Sequence, residues 1–275
     1  MKFRKFAFNI PTKNKLAVFA LPQSNHYQNI KDLKFTPSIK VKKVNSGTKI
    51  VIWEKTDIIS LSFHHAPIAI NKKLSEVIIA QKSDKNFFNR DQFINCEDKY
   101  MKKLAQTWIN KTFVKSPNDI MELMYQNTLN FLTYGNPIPG LYTYKDAYHQ
   151  KVTDCGGFST FLATLLQTQG IVCRLVSGFI YKKGLFQKAK EMLGSPKSLI
   201  DVSIHAWLEV MQEDGEWFPA DPSVEWRRIN KQSTRIGGLG KTGADRLVVS
   251  FGHNFLLTIK NKGYKFPLLQ NPISI

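Results

Sequence analysis

The sequence predicts a mixed protein of strands and helices, with a small β-rich region ahead of a larger part built around one apolar helix. Three observations carry this. Between Ser38 and Ile70, β-branched and aromatic residues cluster in short runs such as Ile50-Val51-Ile52-Trp53 and Ile58-Ile59-Ser60-Leu61-Ser62-Phe63. In three stretches from Tyr100 onward, apolar residues recur at helical spacing. Around residue 205 the periodicity changes to strict alternation, the signature of a strand.

Composition bounds the class. A chain of 275 residues with 43% hydrophobic and 22% charged residues is long enough for a substantial core and has a globular balance. There is no run of 18 apolar residues, so no membrane span is expected. The first 20 residues carry Lys2, Arg4 and Lys5, but Asn9, Pro11, Lys13, Asn14 and Lys15 interrupt any apolar segment, so no secretory signal is read. Three cysteines, Cys96, Cys155 and Cys173, make neither a disulfide framework nor a metal-binding pair, and a cytoplasmic setting is the default expectation. A net charge of +18 raises nucleic-acid binding. The basic residues are mostly lysine, scattered and seldom interleaved with aromatics, which describes a solvated surface; affinity for acidic partners is the softer implication. Oligomeric state is not legible.

Residues 1–35 alternate short apolar pieces with Pro, Asn and Lys and define no element. The strands of 38–70 follow, with a turn at Asn45-Ser46-Gly47; His64 and His65, being adjacent on a strand, face opposite ways and cannot share a metal. A polar connector, Gln81–Asn95, closes this region, so the expected organisation is 1–95, then 96–260, then a tail 261–275. Tyr100–Thr112 is a helix through Met101, Leu104, Ala105, Trp108 and Ile109. A second helix starts at Ser116-Pro117-Asn118-Asp119 and runs toward Tyr134-Gly135, since Pro and an acid suit a first turn. A loop with Pro137, Pro139 and Gly140, dense in tyrosine (Tyr142, Tyr144, Tyr148), leads to Cys155.

Cys155 opens the informative helix. Asp154 or Thr153 caps it, Phe158, Phe161, Leu162, Leu165 and Leu166 give it an apolar stripe, and Gly170 ends it. A thiol at a helix N-terminus feels the positive end of the dipole, which favours the thiolate. Ile171–Tyr181 is a buried strand with Cys173 in the core, and Lys182–Leu199 a basic linker or insertion. In Asp201–Val210, Ser203, His205, Trp207 and Glu209 share the less apolar face of a half-buried strand. Glu213-Asp214-Gly215 then makes a three-residue hairpin loop, which pairs Gln212 with Glu216 and sets Asp221 opposite Trp207, diagonal to His205 on the same face. Cys, His and Asp in these settings suit nucleophilic catalysis: the imidazole takes the thiol proton and the carboxylate orients the imidazole.

These stretches together resemble the transglutaminase-like superfamily. Asp154-Cys155-Gly156-Gly157-Phe158-Ser159, Gly170-Ile171-Val172-Cys173-Arg174-Leu175-Val176-Ser177-Gly178, His205-Ala206-Trp207-Leu208-Glu209-Val210 and Trp217-Phe218-Pro219-Ala220-Asp221-Pro222-Ser223 follow its motifs in order, and Asp245–Asn254 is similar to its closing strand. The resemblance covers roughly residues 100–260. It implies an α+β, papain-like core with the nucleophile helix packed on an antiparallel sheet, with Cys155 as nucleophile, His205 as general base and acid, and Asp221 as orienting carboxylate. It further implies acyl transfer from a peptide or protein amide through a thioester, with no cofactor or metal. Hydrolysis is the first reading, amine transglutamination the alternative, and a silent binding domain for acidic partners the second alternative. The backbone N–H of Cys155 is one oxyanion candidate; a side chain just ahead of it, Gln150 in preference to His149 or Tyr148, is another. Trp207 and Tyr148 are candidates for the substrate groove. Gly156 and Gly157 stand where family members often carry an aromatic or charged residue, and Ser223 where Thr is usual.

Overall fold

The computed structural model describes residues 3–11, 16–37, 41–44, 46–53, 58–81, 84, 87–181, 203–270 and 273–274. The basic stretch Lys182–Leu199 lies outside them, as do Asp201 and Val202. In chain order the strands and helices are β1 (Arg4–Pro11), β2 (Ala17–Leu21), β3 (Gln28–Thr36), β4 (Val41–Lys43), β5 (Lys49–Trp53), β6 (Ile58–Pro67), β7 (Ile70–Asn71), α1 (Lys99–Thr112), α2 (Pro117–Phe131), β8 (Thr133–Tyr134), α3 (Tyr144–Gln150), β9 (Val152–Thr153) and α4 (Cys155–Thr168). Then follow β10 (Cys173–Ile180), β11 (Ser203–Met211), β12 (Trp217–Ala220), α5 (Pro222–Ile229), β13 (Gly237–Gly238), β14 (Lys241–Thr242), β15 (Arg246–Phe251), β16 (Phe255–Ile259), β17 (Lys262–Phe266) and β18 (Ile273–Ser274). Helices and antiparallel strands make this an α+β protein. Among the described residues no helix is long and apolar enough to cross a membrane.

The chain divides into two compact units: Met1–Ala69 with Ser177–His205 and Ala244–Ile275, and Ile70–Val176 with Ala206–Gly243. It passes from one to the other within β10 and within β11.

The first unit is β-rich. One sheet has the order β1-β6-β3 and another the order β18-β2-β5-β4. Their inward residues, among them Phe6, Val18, Ile50, Trp53, Leu61 and Phe63, form one apolar cluster. β1, β2 and β3 correct the sequence reading, which finds no element before residue 35. β2 is buried at every position and therefore shows no alternation, while β1 and β3 carry lysines on their outer faces. Side chains tie β15 in place: Gln28 donates to Val248 O and accepts from Val248 N, both at 2.8 Å, and Thr48 Oγ1 bridges both backbone groups of Phe251. On β6, His64 is partly exposed against Asp32 while His65 is fully buried, the opposite orientations that adjacency demands.

The second unit is organised around α4. α1, α2, α3 and α5 all pack on it, and every one of its residues is buried. Its hydroxyls turn inward onto its own carbonyls: Ser159 to Cys155, Thr164 to Thr160 and Thr168 to Leu165, at 2.7–2.9 Å. Gln167 fastens the far end by donating to Asn89 Oδ1 and Cys173 O. α1 and α2 form where the sequence predicts, capped by Asp98 and Ser116. Two helices are unforeseen. α3, started by Thr143, replaces half of the expected tyrosine-rich loop, and α5 starts at Pro222 behind the cap Asp221, where the sequence reading assigns no element.

Candidate active site

The start of α4 is held by its cap. Asp154 Oδ1 accepts from the backbone N–H of Gly156 at 2.9 Å and Gly157 at 3.2 Å, and Oδ2 accepts from Ile138 N at 3.3 Å. Just ahead of it β9 pairs in parallel with β8, which brings Tyr134 beside Thr153. The two glycines after the cysteine have a local cause. A Cβ on Gly157 would fall on the Thr153 side chain, and one on Gly156 would press on Leu141 and Asp154.

Cys155 is buried, and β11 reaches it. Ser159 Oγ, one turn along α4, donates to Ala206 O at 3.3 Å, and the thiol sulfur accepts the backbone N–H of Ala206. Burial pushes the thiol up to about 12, and the charges of Asp154 and Asp221 push the same way against the N–H groups of Ala206 and Gly156. The expectation that the helix start favours a thiolate is therefore corrected. Desolvation and two carboxylates outweigh the dipole, so a base is needed to ionise the thiol. Cys173 is also buried, with its thiol pushed up to about 12 by burial, and sits in the core as expected.

The hairpin register follows the loop argument. Gln212 N donates to Glu216 O at 2.9 Å, Gly215 adopts φ +79°, and Leu208 faces Ala220. The paired stretch ends there, and the backbone N–H of the next residue, Asp221, donates to Gly238 O at 3.2 Å. Asp221 is completely buried; Oδ1 accepts from Val224 N and Ser223 Oγ, each at 3.2 Å, so the carboxylate caps α5. Ser223 supplies that bond with the same hydroxyl a threonine would offer.

His205 lies on β11 directly before Ala206, is 5% exposed, and its carbonyl accepts from Gln270 Nε2 at 2.8 Å. From His205 to Val210 both faces of β11 are buried, not one as the alternation suggests. Two motif residues explain part of this: the carboxylate of fully buried Glu209 accepts from Arg174 Nε at 2.9 Å, and the Arg174 guanidinium stacks 3.9 Å over the Trp217 ring. The motif arginine and glutamate thus bind β10, β11 and β12 together.

The remaining candidates fall elsewhere. Trp207 is completely enclosed and braces the strand from within, so it has no surface to offer a groove. Tyr148 stacks on Phe131, which stacks on Phe161 of α4, so it packs on the helical layer. Gln150 ends α3 in an exposed position. The residue that spacing did not single out is Tyr134. Burial pushes its hydroxyl up to about 12, with the Cys155, Asp154 and Asp221 charges adding to that and Arg227 opposing it. Its phenol therefore stays protonated beside the thiol. Its place at the end of the α2 lead-in was visible in the sequence; its approach to Cys155 depends on the β8–β9 pairing, which no local pattern reveals.

Residues 107–222 match the family model described as the transglutaminase-like superfamily. Among solved structures the chain is similar to a "putative cysteine protease" from Cytophaga hutchinsonii, at 14% identity and TM-score 0.53, over 91% of this chain and 84% of that one. It is also similar to the periplasmic domain of TgpA from Pseudomonas aeruginosa, at 12% identity and TM-score 0.42, over 84% of this chain and 90% of that one. At such identities the first likeness is one of fold. No curated protein matches the chain by sequence.

Proposed function

We propose, from the match of residues 107–222 to the transglutaminase-like superfamily model, that the protein is a cysteine-dependent amide hydrolase whose nucleophile is Cys155, with His205 as base and acid and Asp221 as the orienting carboxylate. The observation that carries this reading is the arrangement around the thiol: Cys155 at the capped start of α4, the N–H of Ala206 on its sulfur, and Asp221 charged in the same buried space. Further support comes from strand alternation, by which His205 and Trp207 share one face of β11, and from the pairing of Leu208 with Ala220, which is the register that the hairpin argument for Asp221 requires.

The high thiol pKa shapes the mechanism. The resting thiol is protonated, and His205 removes its proton as the sulfur attacks the amide carbonyl carbon. The carbonyl oxygen becomes an oxyanion, for which the Cys155 N–H is one donor, since the cap engages Gly156 and Gly157 instead. Tyr134 is the second donor in this account, a protonated phenol in a desolvated place, in preference to exposed Gln150. Collapse breaks the C–N bond, and the imidazolium hands its proton to the leaving amine. Water, deprotonated by His205, then cleaves the thioester and restores the thiol. Water as acceptor agrees with how the Cytophaga hutchinsonii neighbour is described.

The test is turnover of a mixed peptide pool with and without a fluorescent primary amine. The account predicts new termini or released ammonia that depend on Cys155 and His205, with little amine incorporated. Predominant amine incorporation would replace hydrolysis with transglutamination. Product formation unchanged in Cys155→Ala would remove the mechanism.

A further inference from the structure

On α5, Arg227 and Arg228 are sequence neighbours with different surroundings. Arg228 donates to Glu225 at 3.1 Å, and Glu225 also accepts from the Tyr125 hydroxyl at 2.6 Å and from Leu239 N. Arg227 instead lies over the Tyr134 ring, with the guanidinium carbon 4.8 Å from the centroid. Its Nε is buried with no hydrogen-bond partner among the described residues. Leaving a buried N–H unpaired is costly, so the position calls for an acceptor. The carboxylates around it are committed: Glu225 as above, Asp154 to the start of α4, and Asp221 to the start of α5. A cation–π contact fixes the plane of the guanidinium but satisfies none of its N–H groups.

Tyr134 links this cation to the chemistry, because its ring lies under Arg227 while its hydroxyl feels the charge of Cys155. The preceding α5 residue, Trp226, approaches Phe158 of α4, ring centroids 6.4 Å apart, so a second aromatic side chain joins α5 to the nucleophile helix. A guanidinium held over the Tyr134 ring, one side chain removed from the nucleophile, suits a planar anion, which it grips with paired, charge-assisted hydrogen bonds. The net charge of +18 draws anionic substrates toward the surface.

We propose that Arg227 is a specificity-determining residue that binds a carboxylate on the acyl portion of the substrate, so the enzyme prefers acidic acyl donors. This rests on the reading of Cys155 as nucleophile. The experiment compares two activated esters, the mono-p-nitrophenyl ester of glutaric acid and p-nitrophenyl butyrate, which differ in the terminal carboxylate. Acylation of Cys155 is followed by mass spectrometry in wild type, Arg227→Gln and Arg227→Lys. The readout is the ratio of the two rates within each protein, which does not depend on any general loss of activity. Wild type is expected to favour the anionic ester about tenfold, as for a charge-assisted hydrogen bond. The ratio should fall toward unity in Arg227→Gln and hold an intermediate value in Arg227→Lys. A wild-type ratio near one, or a ratio unchanged in Arg227→Gln, overturns the proposal while leaving the nucleophile intact. If neither ester acylates Cys155, the nucleophile reading fails and the proposal falls with it.

Discussion

Asp154 does two things at once, and two substitutions separate them. Its carboxylate accepts three backbone N–H groups, from Gly156, Gly157 and Ile138, and its charge is, after burial, the largest influence raising the Cys155 thiol. Asp154→Ala removes all three bonds from a buried helix start, a loss of about 2 kcal/mol, near the upper end for a cap. Asp154→Asn keeps one oxygen for Gly156 and Gly157, but its amide turns a donor toward Ile138 N, so the loss is about 1 kcal/mol. The same substitution removes the charge, and the thiol pKa falls from about 12. Each unit of that fall raises the thiolate fraction about tenfold at fixed pH. The assay is paired: urea denaturation for stability, and iodoacetamide labelling of Cys155 at pH 8, read peptide by peptide with Cys173 as internal reference. The less stable Asp154→Asn should label faster, by about tenfold. Labelling at the wild-type rate or slower would refute the electrostatic argument, and an Asp154→Ala protein as stable as wild type would refute the cap.

Other consequences are as direct. Burial holds the imidazole of His65 down at about 4 against its ordinary 6.5, so the folded state binds its proton later than the unfolded state does. The stability this group contributes is complete above pH 6.5 and is lost as pH falls toward 4, by about 3 kcal/mol in all; a urea midpoint flat from pH 7 to 4 would contradict it, and His65→Gln should flatten that part of the curve. Arg174→Met leaves the buried Glu209 carboxylate without its guanidinium and should cost about 3–5 kcal/mol, whereas adding Glu209→Leu should recover much of it. Gly157→Ala drives a methyl into Thr153 and should destabilise by about 1–3 kcal/mol, with recovery in the double variant carrying Thr153→Ala. Tyr134→Phe should lower kcat more than it raises KM on any substrate the enzyme turns over; an unchanged kcat would exclude the phenol as oxyanion donor.

What was legible in the sequence follows from how local each signal is. The Asp154 cap, the apolar stripe of α4 and the stop at Gly170 all lie within a few residues of one another, and all appear in the structure. The β11–β12 register was readable because one glycine in a three-residue loop fixes the pairing of the whole hairpin. Asp221-Pro222 carries the same start signal as Ser116-Pro117, yet no element is assigned to α5 from the sequence, because its eight residues give too little periodicity. α3, at seven residues, is shorter still. β1 to β3 went unseen because long-range pairing, such as Arg4 with His65, leaves no trace in neighbouring residues. Tyr134 shows the same limit at the site: only the pairing of β8 with β9 brings it to the thiol. The thiol's direction of shift was misjudged because a sequence shows the helix start but not the burial that outweighs it.

The central claim is that Cys155 attacks a carbonyl carbon with His205 as its base. It is tested most directly by following p-nitrophenyl acetate acylation of Cys155 by mass spectrometry in wild type, His205→Ala and Asp221→Ala. The account predicts an acetyl thioester on Cys155 that forms and then hydrolyses in wild type. It should form at least about a hundredfold more slowly in His205→Ala and more slowly in Asp221→Ala. Acetylation confined to Cys96, Cys173 or lysines, or a thioester at Cys155 that forms equally fast without His205, would contradict it.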